Sequence, residues 1–299
     1  MEINNKFTQI IGFDLGGTSL KYGYGNLHEG LLYFDKKAHS SKTLNGLLKL
    51  FSDVYDELKN TEQNFTALSI ASPGVIDSIN GVVLGSTPNL PFLRNVNLKE
   101  KLTKITGLPV FVENDANLMT LAESHVCDTK SVLGITIGTG IGTGFVNDKK
   151  IFCGEFFKAM EAGHMIIVPN GRQCLCGKKG CFEAYCSSES IKKIITEQFP
   201  ETKGDNIFKV LNNKNLNIIE EINKILDIFA LGISNMIMIL NPGTVVIGGG
   251  VIEIEAFNFE YLSEKVNTYL ANEFKGCIIK KAVYGNKAGV MGGVVQGFI

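Results

Sequence analysis

Apolar residues along this chain follow two rhythms. Short, nearly continuous runs at 9–14, 67–71 and 109–112 read as buried strands. Residues 43–59 instead bring Leu44, Leu47, Leu48, Phe51, Val54, Tyr55 and Leu58 to one face at helical spacing. A second helix is predicted over 98–106, and a third starts after Glu113-Asn-Asp115 and runs through Leu118, Leu121 and Ala122. Between the strand at 67–71 and the helix at 98–106, Pro88, Asn89, Pro91 and Asn95 mark a polar, loop-rich stretch. The first strand turns at Leu15-Gly-Gly-Thr18 and returns over 19–24. The same pattern recurs later, with a strand at 132–137, the turn Gly138-Thr-Gly-Ile-Gly142 and a return at 143–147. Two hairpins with glycine turns imply an internal structural duplication.

The back half is helical over 189–199, 207–211 and 218–240, where Asn241-Pro242 stops the chain. A strand at 244–247 leads into Gly248-Gly-Gly-Val251. A strand at 278–283 and a helix at 288–298 close the sequence. Strands alternating with helices predict an α/β protein with two similar lobes. No low-complexity linker separates them. The expected division is residues 1–115 with 286–299 as a smaller lobe, and 116–285 as a larger one.

Composition narrows the function. The chain has 299 residues, of which 44% are hydrophobic and 20% charged, which excludes a disordered or fibrous protein. Twenty-nine basic residues nearly balance thirty acidic ones, so no nucleic-acid or anionic-membrane partner is expected. The N-terminal residues lack a leader pattern, and the most apolar stretch, 231–240, is too short to cross a bilayer. A cytoplasmic protein is expected. Glycine is enriched, at 33 residues against about 7% in an average protein.

Those glycines fit neither standard phosphate motif. The second run, Gly138-x-Gly140-x-Gly142-x-Gly144, fails the dinucleotide spacing and joins two strands. No segment matches the spacing of a P-loop. Turns without side chains nevertheless let backbone N–H groups face phosphate oxygens, with Thr18 and Thr139 adding hydroxyls. The candidate nucleotide contacts are Asp14, Gly16, Gly17 and Thr18 in one lobe. In the other they are Gly138, Thr139 and Gly140, joined by Gly249 and Gly250. Asp14 beside a phosphate calls for a cation between them, and Mg²⁺ is the natural one.

Four of seven cysteines fall between Cys174 and Cys186, too many to be scattered core residues. Cys174, Cys176 and Cys181, with His164 ten residues upstream, suit a closed tetrahedral Zn²⁺ site. Cys186 is an alternative fourth ligand. His28, His39 and His125 have no such neighbours and read as surface or packing residues.

Taken in order, these motifs resemble the ROK family of sugar kinases, which have the two-lobed actin-like (hexokinase/Hsp70-type) ATPase fold. The matching segments are Asp14-Leu-Gly-Gly-Thr18, Pro73-Gly-Val-Ile-Asp77, Pro88-Asn89-Leu90, Glu113-Asn-Asp115-Ala-Asn and Ile137-Gly-Thr-Gly-Ile-Gly142. Glu161-x-Gly-His164, Cys174-x-Cys-Gly-x-x-Gly-Cys-x-Glu183 and Gly248-Gly-Gly-Val251 complete the set. The resemblance implies ATP with Mg²⁺, transfer to a sugar 6-hydroxyl, and a hinge between lobes. It implies Asp115 as general base, and Asn89, Asn114, Glu161, His164 and Glu183 as the groups that bind the sugar. A structural Zn²⁺ would anchor the loop that carries Glu161 and Glu183. A homodimer is expected.

One segment departs from the family pattern. Phe157 and Met160 stand where glycine is more typical, beside Phe156. As an apolar wall these residues would favour a substituted sugar, a β-glucoside such as cellobiose or N-acetylmannosamine, over free glucose. Core packing of the three is the alternative. A glucokinase and a non-catalytic sugar sensor are the competing functions. A DNA-binding repressor needs a module for which thirteen residues before Asp14 leave no room.

Overall fold

The computed structural model describes residues 8–61, 63–212, 215–253 and 257–299. The stretch read for a leader lies almost wholly outside them. The chain divides into two compact units, one of residues up to Val126 with 150–159 and 286–299, the other of 127–149 and 160–285.

In the first unit, β1 (Gln9–Leu15), β2 (Ser19–Asn26), β3 (Gly30–Ala38), β4 (Phe65–Ser72) and β8 (Val110–Asn114) form a sheet in the order β3-β2-β1-β4-β8. The hairpin β1–β2 is antiparallel, while β4 runs parallel to both β1 and β8. Helix α1 (Leu44–Lys59) is capped by Thr43, whose hydroxyl accepts the Gly46 N–H, and buries Leu47, Phe51, Val54, Tyr55 and Leu58. Helix α2 (Leu98–Thr106) ends at Gly107, whose left-handed backbone suits a glycine cap. The loop-rich stretch before α2 holds a small antiparallel sheet, β5 (Val75–Asp77), β6 (Val82–Gly85) and β7 (Val96–Asn97).

Helix α3 (Asp115–His125) belongs to this first unit, not to the second as the sequence suggested. The reason is packing. α3 lies on the closing helix Ala288–Gln296, which in turn lies on β1 and β4. A Cβ on Gly292 would stand 1.9 Å from the Leu118 carbonyl oxygen, so glycine is what permits the approach.

The second unit repeats the scheme. β9 (Ser131–Ile137) and β10 (Ile141–Asn147) form an antiparallel hairpin, and β9 runs parallel to Thr244–Gly248, which runs parallel to Ile278–Lys281. The duplication read in the sequence is therefore structural. The helix Leu216–Leu240 has the length and apolarity to cross a membrane, longer than the stretch singled out in the sequence. It instead buries Ile222, Ile225, Leu226, Phe229, Ile233 and Ile237 in this unit's core.

Candidate active site and metal centre

In the first unit the turn after β1 is built to leave donors free. Gly16 N–H bonds back to the Ser19 carbonyl at 2.9 Å, whereas the N–H groups of Gly17 and Thr18 have no partner among the described residues. Two contacts from His39 hold the turn from behind. Its backbone N–H donates to the Thr18 carbonyl at 2.8 Å, and its Nε2 lies 3.0 Å from the Gly16 carbonyl. Asn89 packs against Gly17, where a Cβ would come within 2.9 Å of it.

Asp14, one residue before the end of β1, lies opposite Lys21 in the β1–β2 ladder, and the Lys21 ammonium donates to Asp14 Oδ2 at 2.8 Å. A cation thus already stands on Asp14. Asp115 opens α3, where its Oδ1 accepts the Ala116 N–H at 2.9 Å. Protein atoms crowd its carboxyl and the nearby Asp14 carboxylate repels it, which together push it up to about 6, against opposing pulls from the Ala116 and Asp115 backbone N–H groups and, more weakly, from Lys21. Its side chain still reaches solvent, so water tempers that shift. Asn114 caps α3, with Oδ1 accepting from Ala116 and Asn117 N–H, and its Nδ2 donates to the Gly74 carbonyl. Of its donors and acceptors, one amide hydrogen is left for a ligand. Glu113, buried at the end of β8, fixes the same corner by accepting from Asn114 N–H at 2.8 Å and Asn117 Nδ2 at 3.0 Å.

In the second unit the Gly138–Gly142 turn has the same logic. Gly138 N–H bonds to the Gly140 carbonyl, and the Thr139 and Gly140 N–H groups have no partner among the described residues. Ser188 holds the Gly138 carbonyl with both its N–H and its hydroxyl. Gly249 presses on the end of β9, where a Cβ would stand 2.1 Å from the Ile137 carbonyl oxygen. The backbone N–H of Ile141 donates to Glu183 Oε2 at 3.0 Å. The other oxygen, Oε1, faces Cys174 Sγ at 3.7 Å. Glu183 therefore ties the cysteine loop to the glycine turn.

The four predicted ligands come together. The ligand atoms of His164, Cys174, Cys176 and Cys181 lie within 4.8 Å of one another. Cys174 Sγ is 3.8 Å from His164 Nδ1, and the Cys176 and Cys181 sulfurs are 3.6 Å apart. Zn–S bonds of about 2.3 Å at tetrahedral angles require sulfur separations of roughly 3.8 Å, so the set fits Zn²⁺. A disulfide needs about 2.05 Å and is excluded. Burial pushes the Cys174 thiol up to about 12 and raises that of Cys181, so a cation is what would hold both as thiolates. Cys186 is not a ligand. It is buried in the apolar core, its sulfur directed at the Ile225 carbonyl, 3.9 Å away.

Glu161 and His164 border the short helical turn Ala162–His164. The Glu161 side chain is exposed, and His164 turns Nδ1 to the cysteines, which leaves Nε2 as its second nitrogen. Phe157 and Met160 both have left-handed backbones, with φ of 57° and 64°. Glycine is the residue that adopts this conformation without strain. Met160 packs on the second unit's core, whereas Phe156 is 71% exposed. Lys21 and His39 were not singled out in the sequence as site residues. The lysine's register opposite Asp14 was the available signal.

Known proteins resemble this chain in sequence and fold. The family model described as ROK matches residues 10–295. A glucokinase of Thermotoga maritima is 30% identical over 289 residues, covering 90% of each chain. An N-acetyl-D-glucosamine kinase of Vibrio parahaemolyticus is 30% identical over 299 residues, covering 94% of this chain and 97% of the relative. The structure of a ROK family glucokinase from Streptomyces griseus in complex with glucose and AMPPNP superposes with a TM-score of 0.82 at 25% identity, covering 96% and 98% of the two chains. The repeated hairpin sheets are thus those of the actin-like ATPase fold. Matched from its first strand into its closing helix, and carrying the glycine turns and the histidine–cysteine cluster in order, the chain belongs to the ROK family.

Proposed function

We propose that this protein is an ATP-dependent sugar kinase that transfers the γ-phosphate to the 6-hydroxyl of a hexose unit. The observation that carries this reading is the Asp14–Lys21–Asp115 group. A carboxyl with a raised affinity for protons stands near a cation and a turn with unpaired N–H groups. Phosphoryl transfer needs positioning and charge neutralisation more than covalent chemistry.

In this reading, the free N–H groups of Gly17, Thr18, Thr139 and Gly140 bind phosphate oxygens. Lys21 offsets part of the phosphate charge, and Asp14 would hold a Mg²⁺ that offsets more of it. Asp115 accepts the proton of the attacking hydroxyl, for which a carboxyl raised toward neutral pH is better matched than an ordinary one. Asn89, the remaining amide hydrogen of Asn114, Glu161, His164 Nε2 and Glu183 bind the sugar's hydroxyls. His164, Cys174, Cys176 and Cys181 would hold a Zn²⁺, which would supply no chemistry to the transfer but would fix the loop that carries Glu183 and orient His164.

Phe156 supports a substituted sugar over free glucose, because an exposed ring five residues before Glu161 offers apolar surface that a bare hydroxyl cannot use. A β-glucoside such as cellobiose stands slightly ahead of N-acetylmannosamine. Met160 belongs to core packing and takes no part in that preference. The test is kcat/KM for cellobiose, N-acetylmannosamine, N-acetylglucosamine and glucose with ATP. A preference of tenfold or more for glucose makes the protein a glucokinase. No phosphorylation of any hexose makes it a non-catalytic sugar sensor.

A further inference from the structure

A single buried hydroxyl holds the backbone on both sides of Glu161. Thr143, on β10, is 5% exposed. Its Oγ1–H donates to the Met160 carbonyl, and its oxygen accepts the Ala162 N–H at 3.3 Å. The hydroxyl thus uses its donor on the residue before Glu161 and an acceptor lone pair on the residue after it. Two further observations point the same way. Met160 keeps a left-handed backbone, at φ 64°, which a residue with a side chain holds only when its surroundings impose it. Gly163 presses on the same strand, where a Cβ would come 2.4 Å from the Ile141 carbonyl oxygen. β10 therefore grips the loop at residues 160, 162 and 163, and the side chain between these grips is that of Glu161.

We propose that Thr143 is a positioning residue for sugar recognition, its hydroxyl clamping Met160 and Ala162 so that Glu161 is held in one orientation. This rests on the reading of Glu161 as a sugar-binding group. Thr143 touches no substrate and acts through the loop alone. Met160 makes the clamp necessary. Without the hydroxyl, its backbone relaxes toward the extended region and turns Glu161 with it.

Thr143→Val keeps the shape and removes the hydroxyl. KM should rise at least tenfold for the best substrate among glucose, cellobiose and N-acetylmannosamine, with AMPPNP affinity within twofold of the parent. Thr143→Ser, which keeps the hydroxyl, should stay within threefold. Adding Met160→Gly to Thr143→Val should recover part of the sugar KM, because glycine holds the left-handed backbone unaided. Should Thr143→Val fail to fold, Thr143→Cys, a weaker and longer donor, carries the same comparison. Glu161→Gln separates the two claims. If it raises sugar KM while Thr143→Val leaves it within twofold, the clamp is wrong and the Glu161 reading stands. If Glu161→Gln leaves sugar KM unchanged, the Glu161 reading fails and the clamp with it. Equal losses of sugar and AMPPNP binding in Thr143→Val would also overturn the clamp, as a general disruption.

Discussion

Gly292→Ala tests how the closing helix places Asp115. The added Cβ would stand 1.9 Å from the Leu118 carbonyl oxygen and 2.5 Å from its carbonyl carbon. Carbon–oxygen contacts in proteins settle near 3.3 Å, so α3 must retreat by roughly 1.4 Å. Both partners are backbone, and no side-chain rotation relieves the clash. Leu118 lies one turn after Asp115 on the same helix, so the displacement reaches the proposed base. A misplacement of about 1 Å costs on the order of 10²-fold in rate, and that is the expected fall in kcat. Stability has two opposing contributions. Alanine is better than glycine in a helix by about 1 kcal/mol, while overpacking costs roughly 1–3 kcal/mol. Because both clashing atoms are backbone, the overpacking cost falls at the upper end, about 2–3 kcal/mol, so the expected net loss is about 1–2 kcal/mol, or roughly 2–8 °C in Tm. Steady-state kinetics and thermal unfolding measure both. A variant with kcat within threefold of the parent and an unchanged or higher Tm would refute the packing argument.

Further outcomes follow from the proposed metal ligands and the acid group. Elemental analysis should find one zinc per chain. Cys176→Ser should lose the metal and raise sugar KM, because Glu183 Oε1 would then face an unanchored Cys174. Metal-free protein of full activity would contradict this. Asp115 must be ionised to accept a proton, so kcat/KM should rise with pH along an acid limb displaced from the ordinary 3.8 toward about 6, then level off. Lys21→Met should move that limb higher, since the cation favours the carboxylate. The raised value also means that the folded state binds this proton more tightly than the unfolded chain. Its contribution to stability is full below about 3.8 and lost as pH rises through about 6.

What the sequence revealed depended on how much of a signal was local. β1, β4, α1 and α2 were legible because continuous apolar runs or a helical stripe mark them. β3 was missed because its residues are half-buried or exposed along an edge, without alternation. The small sheet β5–β7 is hidden among turn residues, and the helix Phe259–Tyr269 buries little beyond Leu262 and Val266. The histidine–cysteine cluster was legible because three cysteines lie within eight residues. That Cys186 is excluded is a fact of packing around Ile225, invisible to spacing. Lys21, His39 and Thr143 depend on strand register. Lys21 meets Asp14 across a ladder, and His39 reaches the glycine turn by extending the β2–β3 pairing, whose second strand was not foreseen. α3 was assigned to the wrong unit because its glycine-mediated contact joins residues far apart in sequence.

The central claim is that Asp115 serves as the base of a phosphoryl transfer from ATP to a sugar. Initial rates of sugar-dependent ADP formation, with binding of AMPPNP and of the sugar measured separately, test it on Asp115→Asn, which keeps the shape but takes no proton. The account predicts that kcat falls by about 10²–10⁴-fold while both affinities stay within a few-fold of the parent. A variant that turns over at nearly the parental rate would contradict it.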